Sequence, residues 1–253
     1  MKNTLSIFLV AFLMPTCAVA QTEAFTVVQT GAAFIDVPPG GDKNLAPFNT
    51  FGKAKVEAHA VISLKDQRQF ARMTFASSVS KVQAAASLND KTSVDLGPAE
   101  VSNWLNYSDD HKKVSVTVSV TKLPEKAVAG VIFTGTVRLD VASGTTHKMV
   151  SFDPKPGTRL ELGLGVTTIS EIGVNKITLS GGDSMGAIEN IKLIKPDGSA
   201  LTAKRTGSTK FGSSQTIQWE FSGPLATGKL DVTLYQHLQS VDVPIKLIVV
   251  KPY

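Results

Sequence analysis

KVSVTVSV, residues 113–120, places Val114, Val116, Val118 and Val120 on one side of an extended chain and Ser115, Thr117 and Ser119 on the other. Successive side chains point to opposite faces only when the backbone is extended, so this period of two predicts a strand with one buried face. The pattern spreads outward from there. Ala54, Val56, Ala58 and Ala60 alternate with Lys53, Lys55, Glu57 and His59, which gives a small-residue face inward and a charged face outward. Val131, Phe133, Val137, Leu139 and Val141 oppose Thr134, Thr136, Arg138 and Asp140.

The second half of the chain has the same grammar. Ile217, Trp219 and Phe221 share a face, and Leu230, Val232 and Leu234 face away from Asp231, Thr233, Tyr235 and His237. In the last run, Val243, Ile245, Leu247 and Val249 line one side while Ile248 and Val250 lie on the other, which predicts burial on both faces. Pro244 and Lys246 in that run are residues that protect a sheet edge. Turn signals separate the runs at Pro38 to Gly41, Asn89-Asp90, Asp153 to Gly157, Gly181 to Asp183, Pro196 to Gly198 and Gly223-Pro224. Short strands punctuated in this way predict an all-β fold of antiparallel β-sandwiches.

Both halves follow one order: an apolar strand, a hairpin turn, a strongly alternating strand, a proline-bearing loop and two further strands, offset by about 100 residues. That order predicts two Ig-like sandwiches in tandem, residues 51–155 and 156–253. The proline-rich turn Asp153 to Gly157 marks the boundary. Residues 21–50 form a leader or an edge strand beginning at Phe25 to Val28.

Residues 1–20 read as a cleavable signal peptide. Lys2 supplies the positive start, Leu5 to Met14 an apolar run too short to span a bilayer, and Ala18 and Ala20 the small-residue cleavage pattern. Cys17 follows a poor lipidation signal, and cleavage after Ala20 removes this single cysteine, leaving Gln21 first. The mature chain then has no disulfide and relies on core burial. The formal charge of +5 is scattered rather than blocked, which argues against a nucleic-acid surface.

Several residues match catalytic patterns. Gly182-Asp183-Ser184-Met185-Gly186 fits the G-x-S-x-G nucleophile elbow, whose glycines allow a turn that lifts the serine off its backbone, but that elbow needs a parallel α/β scaffold. Gly-Asp-Ser around Ser184, with His59 early in the chain and Asp95, Asp109 or Asp110 between, also resembles the order of chymotrypsin-like proteases. Met185 stands where those enzymes keep a glycine that helps form the oxyanion hole. The four histidines, His59, His111, His147 and His237, have no second ligand at short spacing, and Asp109-Asp110-His111 has too few alternating acids for a calcium loop, so no metal is expected. Trp104 and Tyr107 concentrate aromatic surface in an aromatic-poor chain and are candidate binding residues. Tyr235 and His237, opposite the apolar face of their strand, are candidates for an outer face or the seam between domains.

A leader followed by two Ig-like sandwiches without cysteine resembles exported bacterial envelope proteins in general. Gly223 to Val250 is loosely similar to the end of the periplasmic copper-carrier sandwich, but its copper-binding histidines have no match here. Pilus chaperones share the size and the two-sandwich layout without a matching basic cleft. The all-β repeat, with no supported catalytic cluster, points to a non-enzymatic binding or structural protein, periplasmic or secreted, with an envelope protein or a surface glycan as partner. No cofactor, nucleic acid or transmembrane anchor is expected. The alternative is a secreted serine hydrolase using Ser184 and His59.

Overall fold

The structure, a computed structural model, describes residues 24–35, 55–71, 80–102, 105–121, 123–124 and 128–251. The expected signal peptide, most of the 21–50 segment and Trp104 lie outside these residues. Among the described residues the elements are strands, apart from one short 3-10 turn at Asp183–Ala187. Every pairing between them is antiparallel.

Three sheets enclose two hydrophobic cores. One five-stranded sheet runs β1 (Phe25–Ile35), β2 (Lys55–Leu64), β8 (Lys113–Val120) and β6 (Glu100–Val101), with β7 (Asn106–Tyr107) also on β8. The second runs β18 (Gln239–Val250), β9 (Val128–Ala142), β4 (Lys81–Leu88) and β5 (Ser93–Pro98), with β3 (Gln69–Phe70) also on β9. Their inner faces meet in the first core. Val114, Val116, Val118 and Val120 are buried there with Val56, Ala58, Ala60 and Ile62, as the alternation predicts. Across from them lie Val131, Phe133, Val137, Leu139 and Val141 of β9.

Gly135 interrupts that inward row of β9 for a steric reason. Its φ is +146°, and a Cβ would sit 2.0 Å from the Lys81 carbonyl oxygen and 2.8 Å from the Val82 Cα. Only glycine permits β4 to approach so closely at that backbone angle.

The second core lies within a single eight-stranded sheet folded over on itself. Its order is β10 (Gly144–Phe152), β17 (Gly228–Gln236), β14 (Ile188–Ile194), β15 (Ala200–Phe211), β16 (Ser214–Phe221), β13 (Lys176–Gly181), β12 (Thr167–Ile172) and β11 (Arg159–Leu160). The long β15 makes the corner: Ala200 to Thr202 pair with β14, and Ala203 to Phe211 pair with β16. A bulge between Arg205 and Gly207 adds twist along it. Trp219, Ile217 and Phe221 are buried from one limb and Leu230, Val232 and Ile191 from the other, so the predicted inward faces of β16 and β17 are observed.

Two strand assignments differ from the sequence expectation. Residues 239–250, grouped there with the second sandwich, pair along their whole length with β9 and bury Val243, Ile245, Leu247 and Val249 in the first core. Residues 144–152, grouped with the first, pair with β17 on the second core. Alternation specifies which side of a strand is apolar and is silent on which neighbour it joins. The chain therefore crosses between cores at Ser143 and again at His237-Leu238, and the two crossings run side by side. Ser143 N–H donates to the Gln236 carbonyl at 3.2 Å, Gly144 faces Gln236, and Gln239 faces Val141.

The expected two-sided burial of the last strand is also corrected. Ile248 and Val250 are 36% and 45% exposed, because β18 is an edge strand with its second face to solvent. Part of that edge is closed by a side chain: the Gln29 carboxamide accepts from the Ile248 N–H at 2.9 Å and donates to its carbonyl at 2.7 Å. One glutamine at the β1 bulge thus substitutes for a neighbouring strand.

Candidate functional site

The crossings converge on a seam where the structure brings together two of the sequence candidates. Tyr235, at the end of β17, is buried with Ala71, Ala142 and the partly buried Leu238. Its hydroxyl and His111 Nδ1 share a hydrogen bond of 3.1 Å, with the donor set by the imidazole tautomer. The Tyr107 ring lies against the same imidazole, centroids 6.4 Å apart. The Glu189 carboxylate, from β14 of the second core, stands 4.0 Å from His111 Nδ1. Residues 124 positions apart in sequence therefore meet in one buried contact.

Local turn chemistry holds His111 in place. Ser108 donates to Asp110 at 2.5 Å, the Lys112 N–H donates to the same carboxylate oxygen at 3.0 Å, and the His111 N–H closes the turn onto the Ser108 carbonyl at 2.9 Å. The Ser108 hydroxyl and the Lys112 amide hold the Asp110 carboxyl below its usual range. The turn places His111 at φ +54°, a left-handed backbone that non-glycine residues seldom adopt. Its carbonyl accepts from the Phe70 N–H at 2.8 Å, which fixes the loop to β3. The acidic turn around Asp109 and Asp110 is thus a backbone clamp for the seam histidine. Among the described residues no cluster of three metal-binding side chains occurs.

His237, the fourth binding candidate, sits on the second crossing at φ +50° with its side chain exposed. It shares the seam with Tyr235 but stands outside the buried contact. The sequence reading missed Glu189 and the seam role of His111. Neither carried a local signal, because the contact depends on how the two cores are joined.

The structure does not assemble the hydrolase pair. His59 lies on the outward face of β2, its Nδ1 2.9 Å from the Thr117 hydroxyl and its Nε2 3.8 Å from Glu57. Ser184 lies on the 3-10 turn against the second core, where its hydroxyl donates to the Leu164 carbonyl. That turn carries the chain from β13 in one limb of the folded sheet to β14 in the other, so it is a connection between antiparallel strands, not a strand-to-helix elbow. Met185 fills the end of the core, fully buried beside Gly181, with the Thr167 hydroxyl 3.5 Å from its sulfur. Gly181, just before the motif, is required by this packing: a Cβ there would strike the Met185 side chain at 2.7 Å.

Of the described carboxylates, the displaced ones are satisfied by local donors. The Asp66 carboxyl is lowered chiefly by its hydrogen bond from Arg68, Asp90 by Thr92, Asp197 by Ser199, and Asp242 by Arg138. Each belongs to a turn or a surface ion pair.

No protein-family model matches the chain, and no curated protein matches it significantly. Among the described residues no helix is long and apolar enough to cross a membrane.

Proposed function

We propose that this chain is an exported, non-enzymatic binding or structural protein of the bacterial envelope, acting in the periplasm or at the cell surface after loss of residues 1–20. The two cores are read as two Ig-like sandwich domains, the second inserted between β9 and β18 of the first. The observation that carries the reading is the engagement of the candidate nucleophile. Ser184 donates to a backbone carbonyl on one core while His59 pairs with Thr117 on the other, so neither is poised against a substrate. The double crossing and the Tyr235–His111 bond also support it. They hold two β-rich surfaces in a fixed relation, which suits presentation to a partner.

The test combines capture and catalysis on the full mature chain. Affinity capture from an envelope extract is expected to retain a protein or glycan partner, and ester and peptide turnover is expected to be unchanged by Ser184→Ala or His59→Ala. Hydrolysis abolished by both substitutions would establish the serine hydrolase instead.

A further inference from the structure

The outer face of the limb formed by β12, β13, β16 and β15 is polar over four adjacent strands. Register brings side chains into rows. Thr168 faces Ser180, Ser180 faces Thr216, and Thr216 faces Thr209, giving four hydroxyls across four strands. One step along, Glu171 faces Thr178, Thr178 faces Gln218, and Gln218 faces Gly207. The next row is charged: Lys176 and Lys204 flank Glu220, and the Lys176–Glu220 pair is 3.5 Å long. Directly paired residues stand about 5 Å apart across strands, and rows repeat every ~7 Å along them. The result is a regular grid of short polar groups.

Within the first two rows, Thr168 excepted, lies a trough of about 450 Å³. Gly207, on the bulged corner strand, leaves its floor bare beside Gln218. Some of the polar groups orient one another: Ser180 donates to the Ser170 hydroxyl at 2.9 Å, and Thr178 donates to Glu171 at 3.1 Å. Thr206 fixes the Gln218 carbonyl oxygen by donating to it at 3.3 Å, which leaves the two amide N–H donors of Gln218 directed elsewhere. The Thr168, Thr209 and Thr216 side chains have no protein hydrogen-bond partner among the described residues.

We infer that this trough is a carbohydrate-binding site for a neutral glycan, an inference that rests on the binding reading above and names the ligand class for it. A sugar hydroxyl both donates and accepts. The trough offers matching groups: threonine hydroxyls that do both, a carboxamide that donates, and the Glu171 carboxylate that accepts. A protein partner needs apolar anchors, and these rows contain none. A phosphate or other polyanion is disfavoured by Glu171, the only charge in the two rows. The absence of an aromatic platform sets the expected affinity in the millimolar range for a disaccharide, with tighter binding only through repeated contacts along a chain.

The test is an NMR titration of the isotope-labelled mature chain with glucose-, galactose-, mannose- and N-acetylglucosamine-based disaccharides, repeated for Gly207→Leu and Thr216→Val. Gly207 has no positive φ, and an added Cβ meets Gln218 at an ordinary 3.6 Å, so the leucine enters the trough without forcing the backbone. Amide shifts confined to β12, β13, β15 and β16, with binding weakened about tenfold or more in both variants at unchanged melting temperature, are expected. No shift with any of the sugars overturns the inference. Shifts elsewhere, or shifts that survive both substitutions, overturn this site while leaving the binding reading to be decided by envelope capture.

Discussion

The two cores solve the same problem with different materials and different chain routes. The first packs two separate sheets through small side chains, with Ala58, Ala60, Ala84 and Ala86 among its valines, and it is closed by a strand from the far end of the chain. The second folds one sheet around β15 and fills the space with Trp219, Phe221, Phe152 and a set of leucines and isoleucines. Its strands form one uninterrupted stretch, residues 144–236. The second core is therefore complete within its own sequence, whereas the first waits for residues 239–250. Pairing partners about a hundred positions apart are slow to find each other, because loop closure must precede the reward of contact.

The largest expected effect breaks that dependence directly. Ending the chain after Leu238 removes four buried apolar side chains from the first core, Val243, Ile245, Leu247 and Val249. At roughly 1.5–3 kcal/mol each, the loss is comparable to the whole stability of a domain. Calorimetry of the shortened chain is expected to show a cooperative transition from residues 144–236 with no contribution from the first core. If no cooperative transition remains, the second core is not independent and the contrast fails.

A smaller effect is expected at the seam. Tyr235→Phe keeps the ring but removes the bond to His111, which costs about 1–2 kcal/mol. With this coupling weakened, a single unfolding transition is expected to broaden or split, the first core melting earlier. An unchanged sharp transition would mean that the paired crossings alone couple the cores.

The smallest effect concerns pH. Asp242 receives two hydrogen bonds from Arg138 at 2.9 and 2.8 Å, tying β18 to β9, and that pairing lowers its carboxyl from the usual value. A depressed carboxyl stabilises the fold above its unfolded-state value, and the contribution fades as pH falls through its folded-state value. From about pH 4 downward, the first core is therefore expected to lose stability more steeply in the wild type than in Asp242→Asn. Parallel acid limbs in the two proteins would show that this clamp contributes nothing measurable.

Much of the architecture was legible because strand faces are encoded locally. The valines of β8, the inward row of β9 and the burial of Trp219 follow from period two, and the turns at Asn89-Asp90 and Pro196 to Gly198 follow from residues that favour them. Partner choice was not legible. Residues 241–250 present the same alternating face to either core, and nothing within the run distinguishes β9 from β17 as its neighbour. The seam shows the same limit. Tyr235 could be placed opposite an apolar face, but its bond to His111 exists only because two crossings fold together. The hydroxyl grid was hidden for a related reason: its threonines and serines are unremarkable along each strand and become rows only when three registers are known.

The paired crossings also determine how the molecule would carry tension. Segments β1 and β18 both belong to the first core, and Gln29 ties one to the other at Ile248. The second core enters at Gly144 and leaves at Gln236, which are direct neighbours. A pull applied through β1 and β18 thus loads the first core alone, shearing and peeling its ladders while residues 144–236 hang to one side. If the chain is tethered at both ends, the second core keeps its shape until the first has given way.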